Sequence, residues 1–178
     1  MQKPNPLQDK WRNVVFFLTA LLVLVADQSS KIWIRSVLDD NEVLFKAGFF
    51  RIINIHNTGA AFGIFPDQKL ALIIVAIVCI VVLLLFIFLY SHRFPFLDNK
   101  LGMLTLGLIF GGIAGNLIDR VRLGYVTDFI DIGIWPAFNV ADSSSTVGGI
   151  LFICLLLFLV KGERRKYTDQ NGEFEKQS

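Results

Sequence analysis

Between positions 116 and 142 the chain sets out Asn116, Asp119 and Arg120 in GNLIDR, Asp128 and Asp131 in VTDFIDIG, and Asn139 and Asp142 in FNVADSSS. Two neighbouring carboxyl groups can share a proton, so that one draws a proton from water while the other, protonated, polarises a carbonyl. Asp142 by itself reads as the N-cap of the apolar run that follows it. Asn139 three residues earlier, and Asn57 in NTGAAFG far upstream, alter that reading, because several amides could converge on one carboxylate cluster. The positive end of a helix favours an anion at Asp142, which leaves Asp128 as the more easily protonated partner. Residue type and spacing leave Asp119, Asp128, Asp131 and Asp142 all eligible for the pair.

Other chemistries have less to work with. A serine triad needs a base, and the two histidines, His56 and His92, stand apart without a partner arrangement. There is no HExxH-like set for zinc. Cys79 and Cys154 lie inside apolar runs without CxxC spacing, so they read as small buried hydrophobes rather than nucleophiles, ligands or a disulfide. No metal or cofactor is expected. A formal net charge of +2, without a basic patch interleaved with aromatics, speaks against nucleic acid.

Two further groups of polar residues need an account. Asp27 and Lys31 stand four apart on one helix face, which suits an intrahelical ion pair that tethers the helix or, alternatively, contacts substrate. Asn116 and Arg120 also share a face one turn apart, where they could organise a site through the arginine's fixed fork or simply cap the helix end. Gly107, Gly111 and Gly115 recur at intervals of four, with Gly102 and Gly112 nearby, the pattern of helices that approach closely.

The elements that must position these residues are membrane spans. Of the 178 residues, 54% are hydrophobic and only 18% charged, too apolar for an ordinary soluble domain. Uncharged runs of about 20 residues, the length that crosses a bilayer, fall near 14–34, 70–90, 101–118 and 143–160. The first resembles a signal peptide, but Leu24 fits a small-residue cleavage site poorly, and a retained helix is expected. Ten basic residues fall in the 41 positions of the N-terminal tail, the 91–100 loop and the tail from 161, against five in the 58 positions of 35–68 and 119–142. By the positive-inside rule both termini are cytoplasmic, and the two long connections face outward.

Residues 35–68 hold an acidic turn, then the β-branched FFRIINIHN, and are expected to form a few short strands and a surface helix. Residues 119–142, rich in Phe, Ile and Trp135 and broken by Gly124, Gly133 and Pro136, suit a segment at the bilayer interface. The fold class is thus an all-α integral membrane protein of four transmembrane helices, with a small β-containing extracytoplasmic segment between the first two. Residues 1–166 form one membrane domain, and 167–178 read as a disordered cytoplasmic tail.

DQSSK at 27–31, NTGAAFG at 57–63, GGIAGNLIDR at 111–120, VTDFID at 126–131 and FNVAD at 138–142 occur in an order and at a spacing that resemble the lipoprotein signal peptidases. These, also called signal peptidase II, are membrane aspartyl peptidases of bacteria, and the resemblance runs from Asp27 to about Val160. It implies Asp128 and Asp142 as the catalytic pair, with Asp131 a neighbour. Asn57, Gly59, Asn116, Arg120, Asn139 and Ala141 match positions that line the site and hold substrate, and Asp27 and Lys31 match a supporting pair. The implied substrate is a diacylglyceryl-modified prolipoprotein, cut on the N-terminal side of its lipidated cysteine at the outer face of the bacterial cytoplasmic membrane. The implied partners are that substrate and membrane lipids, with the enzyme working as a monomer. The 35–68 loop could cover the site as a lid, with Asn57 bonding the peptide backbone. A small transporter or channel, and a scaffold built on the Gly-rich helix, are the rival readings.

Overall fold

The structure is a computed structural model that describes residues 6–59, 68–90 and 100–177. Helix α1 (Pro6–Val37) is followed by strands β1 (Val43–Ala47) and β2 (Phe50–Asn57), α2 (Lys69–Leu85) with a π-helical turn at Phe86–Tyr90, α3 (Lys100–Arg122), β3 (Val126–Asp131) and α4 (Val140–Gln177). All four helices are long and apolar enough to cross a membrane. Helix α4 runs on to Gln177, through the tail expected to be disordered from 167.

Helix α1 shows why the bundle assembles. Its buried positions are Arg12, Phe16, Ala20, Val23, Asp27, Lys31 and Ile34, one stripe at intervals of three and four. The apolar part, Phe16, packs with Ile87, Met103 and Leu106. Large apolar side chains on the opposite faces stay exposed, such as Leu21, Leu22 and Val25 on α1 and Val75, Val78 and Val82 on α2. In a bilayer such an exterior faces lipid. Cys79 and Cys154 belong to that exterior, which corrects the expectation that they are buried. Their apolar neighbours signal membrane depth, and depth alone does not distinguish a lipid-facing position from a core one.

The glycines of α3 set its distance from both neighbours. A β-carbon would lie 2.8 Å from the Phe16 carbonyl oxygen at Gly107, 2.7 Å from Val23 Cβ at Gly111 and 2.6 Å from Asp27 Oδ2 at Gly115, so this row is the α1 contact. Gly112 faces α4 instead, where a β-carbon would collide with Ser145 Oγ and the Ala141 carbonyl oxygen. Because a backbone oxygen cannot swing aside, Gly112→Val is expected to destabilise the protein by about 1–3 kcal/mol and to lower activity by displacing the first turn of α4. Thermal unfolding in detergent measures it, with Gly149→Ala, which meets nothing within 4 Å, as the unaffected control.

The sheet differs from the expectation in one respect. The hairpin β1–β2 does lie between the first two spans, turning at Gly48 (φ 58) and Phe49 as a two-residue loop with glycine first. Its third strand, however, comes from the 119–142 segment: β3 pairs antiparallel with β2, in the order β1-β2-β3. Five of the six β3 residues are buried, so VTDFID lacks the alternation that marks a half-exposed strand. Helix α3 also reaches Arg122, and Gly124 (φ 91) turns the chain out of it. The sheet therefore joins both long connections at one end of the bundle. The surface helix expected within 35–68 is not formed by residues 38–59, and residues 60–67 lie outside the described residues, as do His92 and most of the 91–100 loop.

Candidate active site

Strand β3 and the start of α4 bring Asp128 and Asp142 together. In the register of β2 with β3, Ile55 lies opposite Asp128 and Asn57 opposite Val126, so Asn57 and Asp128 share one face of the sheet. On that face Asn57 Nδ2 donates to Asp128 Oδ2 at 2.8 Å, and Asn139 Nδ2 donates to Asp128 Oδ1 at 2.7 Å. Asp142 accepts at both oxygens as well, from Asn116 Nδ2 at 2.7 Å and from the Asn139 backbone N–H at 3.2 Å. Every carboxylate oxygen of the pair thus receives one donor, and Asn139 touches both acids.

Asp142 is not the N-cap of α4. Asn139 takes that place: its Oδ1 accepts the Asp142 N–H at 3.0 Å while Asp142 reaches back to the Asn139 N–H. This is a capping box with Asp142 at the third helical position. Spacing could not decide between the two, because both residues are favoured caps. The consequence is that one local motif builds the start of α4 and orients a carboxylate.

Asp128 is held well away from ordinary carboxylate behaviour. Burial, and secondarily the charge of Asp142, raise its pKa to about 7, against the lowering effect of the Asn57 and Asn139 hydrogen bonds and of Lys31. A carboxyl whose pKa rises on folding binds its proton more tightly in the native state. Its contribution to stability is therefore complete below about pH 4 and is lost as pH rises through about 7. Wild-type stability should fall over that window by an amount on the order of 2–4 kcal/mol relative to Asp128→Asn, measured by thermal unfolding as a function of pH.

The remaining residues named from the sequence gather around this pair. Gly59 N–H donates to Asn57 Oδ1 at 3.0 Å, and the Gly59 carbonyl accepts from Arg120 Nη2 at 3.3 Å, which ties the end of β2 to α3. Ala141 is fully buried, and its N–H donates to Asp27 Oδ1 at 3.0 Å. Lys31 Nζ lies 2.9 Å from Asp27 Oδ2 and donates to Asn116 Oδ1 at 2.9 Å. Asn57, anticipated as a ligand for peptide backbone, gives one N–H of its amide to Asp128 and its oxygen to the turn at Gly59. Asp131 points elsewhere, pairing with Arg51 across the sheet. His56 occupies the other face of the sheet, stacked on Tyr125 at 3.9 Å. Among the described residues no group of His, Cys, Asp and Glu could hold a metal ion.

Sequence reasoning named Asp119 only as a candidate for the pair and missed the supporting layer to which it belongs. Asp119, almost fully buried, lies 3.3 Å from Lys31 Nζ and accepts the Thr127 N–H at 3.1 Å, one residue before Asp128. Arg35 donates to Thr127 Oγ1 at 2.7 Å, and Gln28 Nε2 reaches Asp27, Asp119 and the Gly115 carbonyl. The continuation of the α1 stripe by Arg35, four residues past Lys31, was the available signal.

The pair opens on a cavity of about 520 Å³, lined by Asn57, Arg120, Asp128, Phe138, Asp142 and Ser145 among others. Two acids, four donors and an adjoining space of that size can in chemical terms activate a water beside a polarised carbonyl. Comparison with known proteins follows the same direction. Residues 19–158 match the family model described as Signal peptidase (SPase) II. The chain is 45% identical over 160 residues to the lipoprotein signal peptidase of a Dehalococcoides mccartyi strain, covering 90% of this chain and 98% of that one. It is also 45% identical over 150 residues to the lipoprotein signal peptidase of Moorella thermoacetica, covering 84% and 96%. A solved structure described as a bacterial membrane enzyme, obtained by the in meso method, superimposes with a TM-score of 0.73 at 34% identity, covering 80% of this chain and 87% of that chain. The sequence, the four spans and the shared structure place this chain in the signal peptidase II family.

Proposed function

We propose that the protein is an aspartic endopeptidase that removes the signal peptide from diacylglyceryl-modified prolipoproteins, cutting on the N-terminal side of the lipidated cysteine. The observation that carries this reading is the bridged pair: Asp128 and Asp142, each accepting two hydrogen bonds and both touching Asn139, beside an open cavity. Asp142 takes a proton from water as the water oxygen attacks the scissile carbonyl carbon, and protonated Asp128 gives its proton to the carbonyl oxygen. Collapse of the resulting diol returns a proton to Asp128 and passes the proton on Asp142 to the departing amine. No cofactor enters this scheme.

The substrate class suits the position of the pair. A signal peptide is an apolar helix, and its cleavage site emerges at the end of a span, the level at which α3 ends and α4 begins. With basic residues concentrated at the opposite end, the termini are cytoplasmic and the pair faces outward. A working monomer is part of this reading.

The test is incubation of the purified enzyme with a prolipoprotein in diacylglyceryl-modified and unmodified forms, with products mapped by mass spectrometry. Cleavage at the cysteine of the modified form is expected. Failure to cut it, or cutting elsewhere, would defeat the reading.

A further inference from the structure

The structure assigns Lys31 a positioning role in the reaction, exerted through the orientation of the Asn116 amide; this rests on the reading of Asp128 and Asp142 given above. Lys31 is fully buried on α1. Its ammonium donates to Asn116 Oδ1 at 2.9 Å, and Asn116 Nδ2 donates in turn to Asp142 Oδ1 at 2.7 Å. An amide has one acceptor end and one donor end. Turned over, Asn116 would set its NH₂ against the ammonium and its carbonyl against the carboxylate, two repulsive contacts in place of two charge-assisted bonds.

Asn139, the amide that touches both acids, has a different lock. Asn139 Oδ1 is held by the Asp142 N–H, so the capping box dictates which end of Asn139 faces Asp128. Asn116 has no such backbone restraint. Among the described residues its carbonyl accepts from Lys31 Nζ and, at 3.2 Å, from Asn139 Nδ2, so the ammonium is the charged donor that holds the acceptor end of the amide away from Asp142. A neutral residue at position 31 leaves that end of the amide to the weaker Asn139 contact alone, and the donor presented to Asp142 is held less firmly.

The charges facing Lys31 come from every packed element. Asp27 lies 2.9 Å away on α1 and Asp119 3.3 Å away on α3. Arg35 of α1 faces Asp119 at 3.8 Å, Arg120 of α3 lies on the cavity side, and Asp128 and Asp142 lie beyond Asn116 on β3 and α4. Asp27 and Asp119 against Lys31 and Arg35 are balanced, so a Lys31 variant must keep that balance to be informative.

The experiment compares wild type, Lys31→Met and the charge-balanced double variant Asp27→Asn with Lys31→Met. Folding is followed by thermal unfolding. Cleavage is followed as kcat, KM and pH profile on a diacylglyceryl-modified prolipoprotein. The protonated Asp128 band, identified by its loss in Asp128→Asn, is titrated by infrared spectroscopy without substrate. The double variant is expected to fold, to keep KM within about threefold and to lose about 10- to 100-fold in kcat, as misoriented catalytic groups do. Its pH profile and infrared midpoint are expected to move by about one pH unit. A folded double variant with wild-type kcat and pH profile overturns the proposal, and so does failure of both variants to fold, which would make Lys31 part of the frame alone. If the wild type leaves the prolipoprotein uncut while the infrared midpoint still responds at position 31, the substrate reading has failed and the positioning role stands.

Discussion

Asp128→Asn and Asp142→Asn are each expected to lower kcat by roughly 10³-fold or more while the protein still folds, because each removes one proton carrier from a pair that works as a unit. Asparagine keeps the size of aspartate but not its acceptors. At 128 it would present an NH₂ group to either Asn57 or Asn139, both of which donate. At 142 it would do so to Asn116 or to the Asn139 N–H. The resulting loss of stability is about 1–2 kcal/mol, set by one mismatched hydrogen bond. The double variant should be about as inactive as either single one, since half a pair cannot transfer both protons. Asp131→Asn is the contrast: it breaks an ion pair with half-exposed Arg51 on the sheet, and cleavage should stay within a few-fold of wild type. Cleavage of a modified prolipoprotein by each variant, with folding checked by thermal unfolding, measures all four. Retention of wild-type cleavage in either single Asn variant of the pair would remove it from the reaction.

The second large effect is expected at Asn139. Asn139→Ala strips a donor from Asp128, removes the cap of α4 and ends the contact with Asn116. Lost capping costs about 1 kcal/mol, and the loosened carboxylates should lower kcat about 10²-fold. Asn139→Asp separates the two effects. An aspartate caps a helix as well as asparagine does, so the capping contribution to Tm is kept, less the cost of a further carboxylate in a fully buried position. Activity should not, because a third carboxylate would then face Asp128 with no N–H to offer. Parallel recovery of kcat and Tm in that variant would show that Asn139 serves the helix alone.

Which parts of this site the primary structure reveals follows from the range of the interactions. The four spans are written in long uncharged runs, since a bilayer imposes its thickness on every segment that crosses it. The glycine row of α3 is likewise legible, because a period of four puts small residues on one helical face and its partner, α1, carries Phe16, Val23 and Asp27 at matching positions. Asp27 and Lys31 could be paired from spacing alone, as the 2.9 Å contact shows. β3 was harder: buried on both faces, VTDFID carries no alternating signal, and its partner strand lies some 70 residues away in sequence.

The amino-acid sequence by itself determined the class of protein, the number of its spans and the set of acids that could do chemistry. Local periodicity and the cost of charge in a membrane are properties of short segments, and they can be read one segment at a time. Tertiary structure decided which acids meet. Asp128 faces Asn57 because of the register of β2 with β3, Asp142 faces Asn116 because Gly112 lets α3 lie against the first turn of α4, and Asn139 reaches both because it ends the loop between β3 and α4. Those choices depend on contacts between residues far apart in the chain, and so does the raised pKa of Asp128, which burial produces only once the sheet has closed over the ends of the helices.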